Sequence, residues 1–531
     1  MKSKVRNKLQ ARVLAAAVCS LAISAAAQKP GGTLRVVLRE NPGSMSLAEE
    51  SSVYTNLPLM GVFNNLVVFD QQDKIARLES IKPDLATDWS WSADNRMVTF
   101  KLREGVKWHD GKPFTSADVQ CTWDTILGKR DMNWRKNVRK EWYQNLKEVT
   151  VNGPYEVRFM LERPQPSFMS MLAVGWSAVY PCHVDGRVMR QKPIGTGPYK
   201  LVEYKPNEFI RVAKNPDYWK KGLPYLDAIE YRIVTSLSTR TLSFVTGQVD
   251  ISSSDITPAV EKDIKTQAPK AVCETFASAG SSHILINHQA KELQDARVRR
   301  AIDIALDRNV FIASQQGHGR LGGAMMTPPH GQWGMTPAQL ASLPAFGKDI
   351  EKRRAEAKKL MEEAGYGPNK RLKVSYLVRQ ANAAIQGASL VADQLRTIYV
   401  DGDVDAKDYT LFTGMLMKGT YTLAFHGTGN AMDDPDIILY ENFICNSPRN
   451  YTKYCNKEVE AKIHEQSATL DPKKRRELVQ QIDMQLQRDS AKPTLFQTLL
   501  TQCWQPHVRG FIKGANGNYS HNRLETVWLD K

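Results

Sequence analysis

The sequence predicts a mixed α/β protein that is built from at least two lobes. Its 531 residues exceed the size at which a single hydrophobic core stops growing. The composition, with 42% hydrophobic and 24% charged residues, is typical of a globular protein. Segments with the period of a strand and segments with the period of a helix follow each other without strict alternation, which fits an α/β or α+β protein of several lobes.

The N-terminal residues have the features of an export signal. Five basic residues and no acidic residue lie between positions 2 and 12, and an apolar stretch follows over residues 13–23. This stretch is too short to span a bilayer, and Ala25 and Ala27 place small side chains where a signal peptidase reads them. We therefore predict a signal peptide over residues 1–27 and a soluble mature protein that begins at Gln28. The alternative is a lipoprotein signal that uses Cys19, although the apolar run continues beyond that cysteine.

The basic composition does not predict a nucleic-acid partner. Loss of residues 1–27 would lower the formal net charge from +16 to +11. The Lys and Arg residues are dispersed rather than gathered in one stripe with interleaved aromatic residues. The positive net charge is explained by its contribution to solubility. The alternative is that it attracts acidic ligands or an anionic membrane surface.

Six cysteines remain after the predicted cleavage, and an even number in an oxidising compartment indicates disulfides. Cys445 and Cys455 enclose a short polar loop and are the predicted pair. The pairing of the other four cysteines stays open. No CxxC motif occurs and the spacing does not resemble a zinc site, so we predict neither a metal nor a cofactor.

Strands and turns predominate in the first half of the chain. Residues 33–38 form a β-rich run between two turns, and residues 89–102 predict two strands around a turn at 93–95. Thr115 is followed three residues later by Asp118, a spacing that predicts the capped start of a helix. Strand and turn character returns in three further segments, at residues 194–199, 204–212 and 228–234.

Helices predominate afterwards. Val298, Ala301, Ile302, Ala305 and Leu306 recur with the spacing of an amphipathic helix. Two more helices are predicted, one over residues 350–364 that stops at Gly365 and one that Asp471 and Pro472 open.

Four segments together carry a resemblance to a known family. They are DLATDWSWSADNRMVTFKLREGVKWHDGKPFTSADV (84–119), IGTGPYKLVEY (194–204), NPDYW (215–219) and VRRAIDIALDR (298–308). In order, spacing and chain length, the sequence resembles the family 5 extracellular solute-binding proteins, the dipeptide, oligopeptide and nickel receptors of ABC importers. Each segment also has a structural explanation, and Gly195 and Gly197 beside Pro198 are predicted to be glycines for the sake of the backbone conformation.

The resemblance implies a two-lobed type II periplasmic-binding-protein fold with three regions. The first region would comprise residues 28–64, 194–280 and 505–531, the inserted second region residues 65–193, and the third region residues 281–504. The first two regions would form one lobe and the third region the other. A small solute would bind in the cleft between the lobes, and the closed periplasmic protein, a monomer, would deliver it to the permease subunits of an ABC importer.

The stretch from Lys418 to Pro435 is where the resemblance places the ligand. Residues 421–425 are predicted to form a strand, and the small residues after it would let a ligand approach the backbone. The predicted ligand contacts there are His426, Gly427, Thr428, Gly429, Asn430, Ala431 and Asp433. In peptide-binding relatives, an aspartate of this loop pairs with the ligand's α-amino group, and counting back from Pro435 puts Ala431 at that position. Asp433 or Asp434 could replace it if the loop is shifted.

The resemblance also places Arg379 where dipeptide receptors hold the ligand carboxylate, a role that a guanidinium suits. Arg379 without its acidic counterpart predicts a ligand with a carboxylate and no free amine. Its alternative role is a structural ion pair. Trp333 and Met45 are further predicted cleft residues, with burial between segments as the alternative for each. His426 and His330 would be metal ligands only if the nickel receptors were the better analogy.

Two other classes of function remain as alternatives. An exported hydrolase would need a catalytic motif, and the sequence lacks GxSxG, HExxH and a Walker-type phosphate loop, so we predict that the protein is not an enzyme. A ligand sensor or a periplasmic chaperone could use the same fold without import.

Overall fold

The computed structural model describes residues 28–135, 137–325, 327, 331–429, 431–514 and 520–531. The predicted signal peptide lies outside the described residues. The helices and strands have the following bounds. The strands are β1 (Thr33–Leu38), β2 (Val67–Phe69), β3 (Ile81–Pro83), β4 (Ala86–Trp91), β5 (Met97–Leu102), β6 (Leu146–Val151), β7 (Glu156–Leu161), β8 (Tyr199–Lys205), β9 (Phe209–Lys214), β10 (Ala228–Ile233), β11 (Val272–Ile286), β12 (Gly319–Arg320), β13 (Leu372–Arg379), β14 (Val400–Lys407), β15 (Leu423–Gly429), β16 (Thr494–Trp504), β17 (Val508–Arg509) and β18 (Trp528–Leu529). The α-helices are α1 (Val53–Leu59), α2 (Ser116–Leu127), α3 (Phe168–Ala173), α4 (Gly186–Met189), α5 (Leu237–Val245), α6 (Pro258–Gln267), α7 (Ala296–Ala305), α8 (Arg308–Ser314), α9 (Pro337–Ala341), α10 (Ile350–Glu363), α11 (Asn382–Arg396), α12 (Tyr409–Lys418), α13 (Pro435–Phe443), α14 (Lys457–Ala468) and α15 (Pro472–Arg488).

The first sheet has the strand order β1-β10-β9-β8, with β1 parallel to β10 and the other neighbours antiparallel. The strand predicted over residues 33–38 is confirmed as β1. Just before β8, Gly195 and Gly197 run against the backbone of residues 61–62. A Cβ at either glycine would collide with a carbonyl oxygen of that segment, so glycine is required for this close approach.

The second sheet has the order β4-β5-β7-β6 and is antiparallel throughout. Strands β4 and β5 are the two strands predicted over residues 89–102, and Asn95 in their turn has a left-handed conformation with φ 54°. Helix α2 begins as predicted, because the Thr115 N–H donates to Asp118 Oδ2 over 3.0 Å.

The third sheet has the order β12-β16-β11-β15-β13-β14. Strands β13, β14 and β15 are parallel to each other, while β11 is antiparallel to both β15 and β16. The helices predicted in this part of the chain are confirmed as α7, α10 and α15, and Gly365 after α10 has φ 84°, as expected for a left-handed helix end.

Two strands join the halves of the molecule. The end of β16 pairs with the start of β11 and also bridges to Ile251, which in turn bridges to β1 of the first sheet. The rest of β11 pairs with β15 of the third sheet. The pairing of β11 with β16 shifts register between Ala277 and Ser281, a bulge that bends a sheet locally. The molecule therefore has a first lobe, which holds the first and second sheets, and a second lobe, which holds the third sheet.

The main hydrophobic core extends across both lobes. It includes aromatic residues of the second sheet, such as Phe100 and Phe159, together with Ile437, Ile463 and Ile482 from α13, α14 and α15. A separate core packs α7, α10 and α11 on the third sheet. Helix α13, which follows β15 of the third sheet in the chain, thus packs against the first lobe.

The six cysteines form disulfides. The predicted pair Cys445–Cys455 is confirmed, and the pairs that the sequence left open are Cys121–Cys182 and Cys273–Cys503. None of the helices in the described part of the chain is both long enough and apolar enough to cross a membrane.

Removal of the Cys273–Cys503 disulfide tests how strongly it stabilises the two joining strands. This bond spans 230 residues of sequence, so the double substitution Cys273→Ala/Cys503→Ala should lower the free energy of unfolding by about 2–5 kcal/mol in denaturant titration. The control is Cys445→Ala/Cys455→Ala, which opens a loop of only 10 residues. A larger loss in the control would contradict the expectation, because the unfolded chain gains more freedom from opening the longer loop.

Candidate functional site

A cavity of about 1130 Å³, the cleft cavity, lies between the two lobes. Its volume is sufficient for a small organic ligand or a short peptide. Both lobes contribute charged and aromatic side chains to its wall. They include Arg39, Tyr54, Arg139, Trp142, Trp176 and Asp255 from the first lobe and Arg379, Phe412, His426, Glu441, Arg449 and Tyr451 from the second.

A second and much smaller cavity, the inner cavity, lies behind the end of β15. Its volume is about 30 Å³, which is room for a water molecule or two rather than for a ligand. Its wall includes His283, Thr428, Asp433 and Lys492. Thr428 lines both cavities.

The glycine-rich stretch after the predicted strand is itself part of a strand. Gly427 to Gly429 continue β15 and pair with residues 280–282 of β11, and the strand begins at Leu423 rather than at Tyr421. The predicted bounds of 421–425 were therefore wrong. The partner strand β11 satisfies the backbone of these small residues, an interaction that the local sequence does not encode.

The structure places several predicted ligand contacts along the cleft cavity. His426, Gly427, Thr428, Gly429 and Ala431 all line it. Ala431 is 6% exposed, and its carbonyl oxygen accepts a hydrogen bond of 2.7 Å from Ser520 Oγ. Asn430 and His330 lie outside the described residues. The roles of the placed residues in ligand binding stay a prediction.

His426 is neutral at physiological pH. Burial, with the positive charges of Lys492, Arg449 and Arg379, lowers the pKa of His426 to about 3. Its ring lies 5.3 Å from that of Phe412 and 5.9 Å from that of Tyr451, measured between ring centroids. Within the described part of the chain, no three His, Cys, Asp or Glu side chains are grouped so that they could hold a metal ion.

The two aspartates that could replace the missing one differ in their surroundings. Asp434 accepts hydrogen bonds of 2.7 and 2.8 Å from both terminal nitrogens of Arg475, which also lies 3.3 Å from Asp436. All three side chains are buried. Asp434 is thus held in a structural ion pair at the start of α13 and does not face the cleft cavity as a free carboxylate.

Asp433 lies on the inner cavity instead of the cleft cavity. Burial and the negative charge of Asp434 raise the pKa of Asp433 to about 7. Trp333 lies beside it, with Nε1 donating to the Asp433 carbonyl oxygen over 2.9 Å and with the Arg475 guanidinium 4.8 Å from its ring centroid. Trp333 therefore packs between these segments and lines the inner cavity.

Arg379 ends β13 at the wall of the cleft cavity, but it has an acidic partner. Its Nη1 lies 3.0 Å from Glu40 Oε1, which belongs to the first lobe. Met45 is completely buried in the core of the first lobe, and neither cavity includes it. Burial between segments, the alternative considered for Met45, is what the structure shows.

Sequence reasoning missed the polar cluster at the far wall of the cleft cavity. It consists of Arg139, Trp142, Glu441 and Arg449, with Lys492 behind them. Trp142 Nε1 donates to Glu441 Oε1 over 2.8 Å and so joins the two lobes. Burial lowers the pKa of Lys492 to about 7, and its Nζ donates to Asn442 Oδ1 and Thr428 Oγ1. Residues 139–142 have the sequence RKEW, and no local signal distinguishes them from a charged surface turn.

A family model described as "Bacterial extracellular solute-binding proteins, family 5 Middle" matches residues 80–450 of the chain. Among curated relatives, the periplasmic oligopeptide-binding protein OppA of Haemophilus influenzae is 24% identical over 88% of both chains. The di/tripeptide-binding protein 1 of Pseudomonas aeruginosa is 26% identical over 79% of this chain and 80% of its own.

Solved structures with the same fold include the ABC transporter-associated periplasmic binding protein DppA of Helicobacter pylori in complex with the peptide STSA. It has a TM-score of 0.83 and 23% identity, and the match covers 95% of this chain and 99% of that one. The periplasmic binding protein AgaA of A. tumefaciens R10 in complex with agropinic acid has a TM-score of 0.82 and 22% identity, covering 94% of this chain and 99% of that one. The predicted two-lobed type II fold is confirmed.

Substitution of Arg475 tests the buried ion pair that fixes the loop after β15. Arg475→Ala leaves Asp434 and Asp436 buried without their cation, so the free energy of unfolding should fall by about 3–5 kcal/mol in denaturant titration. The control is Arg476→Ala, one position along α15 and exposed, which should change it by less than about 0.5 kcal/mol. Equal losses in both variants would contradict the structural role of Arg475.

The raised pKa of Asp433 predicts a dependence of stability on pH. Between its ordinary pKa of 3.8 and its folded-state pKa of about 7, the folded chain holds a proton at Asp433 that the unfolded chain has lost. The ionisation of Asp433 therefore destabilises the fold as pH rises through this window. Asp433→Asn should raise Tm relative to the parent protein more at pH 8 than at pH 5. The exposed control Asp393→Asn should change Tm by the same amount at both pH values. An equal change of Tm at both pH values in Asp433→Asn would refute the prediction.

Proposed function

This chain belongs to the bacterial extracellular solute-binding proteins of family 5, and we propose that it delivers a small solute from the cleft cavity to an ABC importer. The observation that carries the proposal is the position of this cavity, which both lobes enclose where β11 and β16 pass between them. The predicted export signal would place the mature protein, a monomer, in the periplasm. Its partners would be the permease subunits in the inner membrane.

The mechanism requires two arrangements of the lobes and a solute that favours one of them. Bending near the bulge in β11 would separate the lobes and open the cavity. Contacts between the lobes, such as Trp142 with Glu441 and Arg379 with Glu40, would form on closure. A micromolar affinity requires only about 8 kcal/mol, which burial of a small solute and a few convergent polar groups can supply. The closed shape is then what the permease recognises.

The similar proteins support solute capture without chemistry. Oligopeptides and di/tripeptides are named as the ligands of curated relatives, and solved structures of the same fold hold a peptide or agropinic acid. All of these proteins are binding proteins, and we infer that this chain also performs no covalent chemistry on its ligand.

The ligand class follows from the groups along the cleft cavity. Ala431 provides no carboxylate for an α-amino group, and Asp434 is held by Arg475. A buried ammonium without an acidic partner would cost several kcal/mol. We therefore propose a peptide-like or other organic ligand that carries a carboxylate and has no free amine at the Ala431 position.

Isothermal titration calorimetry with matched peptides tests this ligand class. The protein should bind N-acetylated dipeptides at least about 10-fold more tightly than the same dipeptides with a free N-terminus, because acetylation removes the unpaired ammonium. Small-angle X-ray scattering on the same samples should show a smaller radius of gyration when the binding ligand is added. Tight, saturable binding of unmodified dipeptides would show that the ligand class is wrong, whereas an unchanged shape with every ligand that binds would argue against closure itself.

A further inference from the structure

One guanidinium in the wall of the cleft cavity is buried without an acidic partner. Arg139 belongs to the first lobe and is only 3% exposed. Its guanidinium lies between two indoles, with Cζ 4.3 Å from the ring centroid of Trp176 and 4.8 Å from that of Trp142. Both distances are typical of cation–π contacts, so the two rings fix the plane of the guanidinium.

The hydrogen bonds of Arg139 are incomplete. Nη2 donates to the carbonyl oxygen of Glu50 over 2.7 Å. Nε and Nη1 are shielded from solvent and have no hydrogen-bond partner among the residues that the structure describes. Such donors cost free energy when they are buried, more so on a charged group. An acceptor is therefore missing at this position.

The surroundings of Arg139 carry an excess of positive charge. Within the described residues, no carboxylate forms an ion pair with it. The acid that acts on it electrostatically is Glu441, whose Oε1 already accepts from Trp142 Nε1 and from Arg449 Nη1 at 3.1 Å. Arg139 thus acts on a carboxylate that already has two donors. Burial lowers the pKa of Arg139 to about 10, which leaves it charged at neutral pH.

Other arginines of the cleft cavity, unlike Arg139, have an acidic partner. Arg379 has Glu40 at 3.0 Å, and Arg39 has Asp255 at 3.3 Å. A ligand anion at either of these would have to compete with a carboxylate that is already present. At Arg139 it would supply the acceptor that the protein lacks, and the guanidinium fork suits a carboxylate.

We propose that Arg139 is the residue that binds the carboxylate of the solute, in place of Arg379. The inference rests on the proposed function, because it assumes that the cleft cavity is where the solute binds. It assigns the solute to the carboxylic acids and places the acid group against the wall that Trp142, Trp176 and Glu441 form.

This assignment also links binding to closure. Trp142 contacts Glu441 of the opposite lobe, so the wall around Arg139 is complete only when the lobes meet. A carboxylate would reach Nε and Nη1 only while the lobes are apart, because both nitrogens are shielded from solvent when the lobes meet, and an indole of Trp142 or Trp176 would shift to make room for it. Closure without the carboxylate leaves a buried charge whose donors have no acceptor, which costs free energy. Closure with the carboxylate avoids this cost, so the closed arrangement is favoured only when the solute is bound.

The experiment compares carboxylic acids with their primary amides by calorimetry on the full mature chain. The probes are mono- and dicarboxylic acids, aromatic carboxylic acids and N-acetyl dipeptides, each with its matched amide. For the parent protein, acids should bind at least about 10-fold more tightly than their amides, as expected for a charged hydrogen bond. In Arg139→Gln this preference should fall to about 1-fold, whereas in Arg379→Gln and in the exposed control Arg130→Gln it should persist.

A ligand-free measurement separates a binding role from a structural one. Since Arg139→Gln removes a buried charge without an acidic partner, Tm of the ligand-free protein should stay the same or rise. A fall in Tm would come from the lost contacts of Arg139 with Trp142, Trp176 and the Glu50 carbonyl oxygen, and the preference for acids of the variant that keeps the charge would then decide the inference. Arg139→Lys keeps the charge but loses the planar fork, and it should retain only part of the preference for acids.

The remaining outcomes distinguish this inference from the proposed function. If acids bind and the radius of gyration falls, but Arg139→Gln keeps the preference for acids or Arg379→Gln abolishes it, the inference fails and the proposed function stands. It fails as well if the parent protein binds amides as tightly as acids. If no probe, acid or amide, binds or changes the shape, both fail together.

Discussion

The antiparallel pairing of β11 with β16 is the constraint on which the rest of the structure depends. Strand β11 carries the chain into the second lobe, and β16 returns it to the first. Cys273 and Cys503 lie directly opposite each other in this pairing and are covalently joined. Both lobes are therefore tied at one edge, and any relative motion must be a bend of this pair rather than a separation. The bulge between Ala277 and Ser281 puts the weakest part of the ladder next to the cleft cavity.

The polar groups between the lobes fall into two classes, according to whether their charged members form ion pairs. Asp436 joins the lobes through Ser167 of the first lobe, and with Asp434 it surrounds Arg475, so the two carboxylates share one guanidinium. Such a hydrogen-bonded group specifies one packing of α13 against the first lobe. Arg139 and Lys492 are buried as well, yet neither forms an ion pair with a carboxylate of the described residues. Arg139 lies in the wall of the cleft cavity, and Lys492 lies behind that wall on the inner cavity.

The chemistry of the cleft cavity is thus decided by which of its groups already have partners. His426 is held neutral by burial and by the cations around it, and aromatic rings flank it. Arg379 and Arg39 are matched by acids, whereas two buried nitrogens of Arg139 have no partner in the described part of the chain. These differences are the basis on which an anionic solute is proposed for a fold that is shared with peptide-binding relatives.

The sequence by itself determined the family, which four segments predicted and the family model confirmed. It also determined the features that are encoded within a few residues of one another. Thr115 with Asp118, Asp471 with Pro472, and the short loop between Cys445 and Cys455 are of this kind. Only the tertiary structure decided the partners of the charged and buried groups. Arg379 meets Glu40 across 339 residues of sequence, and Trp142 meets Glu441 across 299. Local periodicity records which face of an element is buried, but not which distant segment covers it, so charge balance at the cleft could not be predicted from sequence.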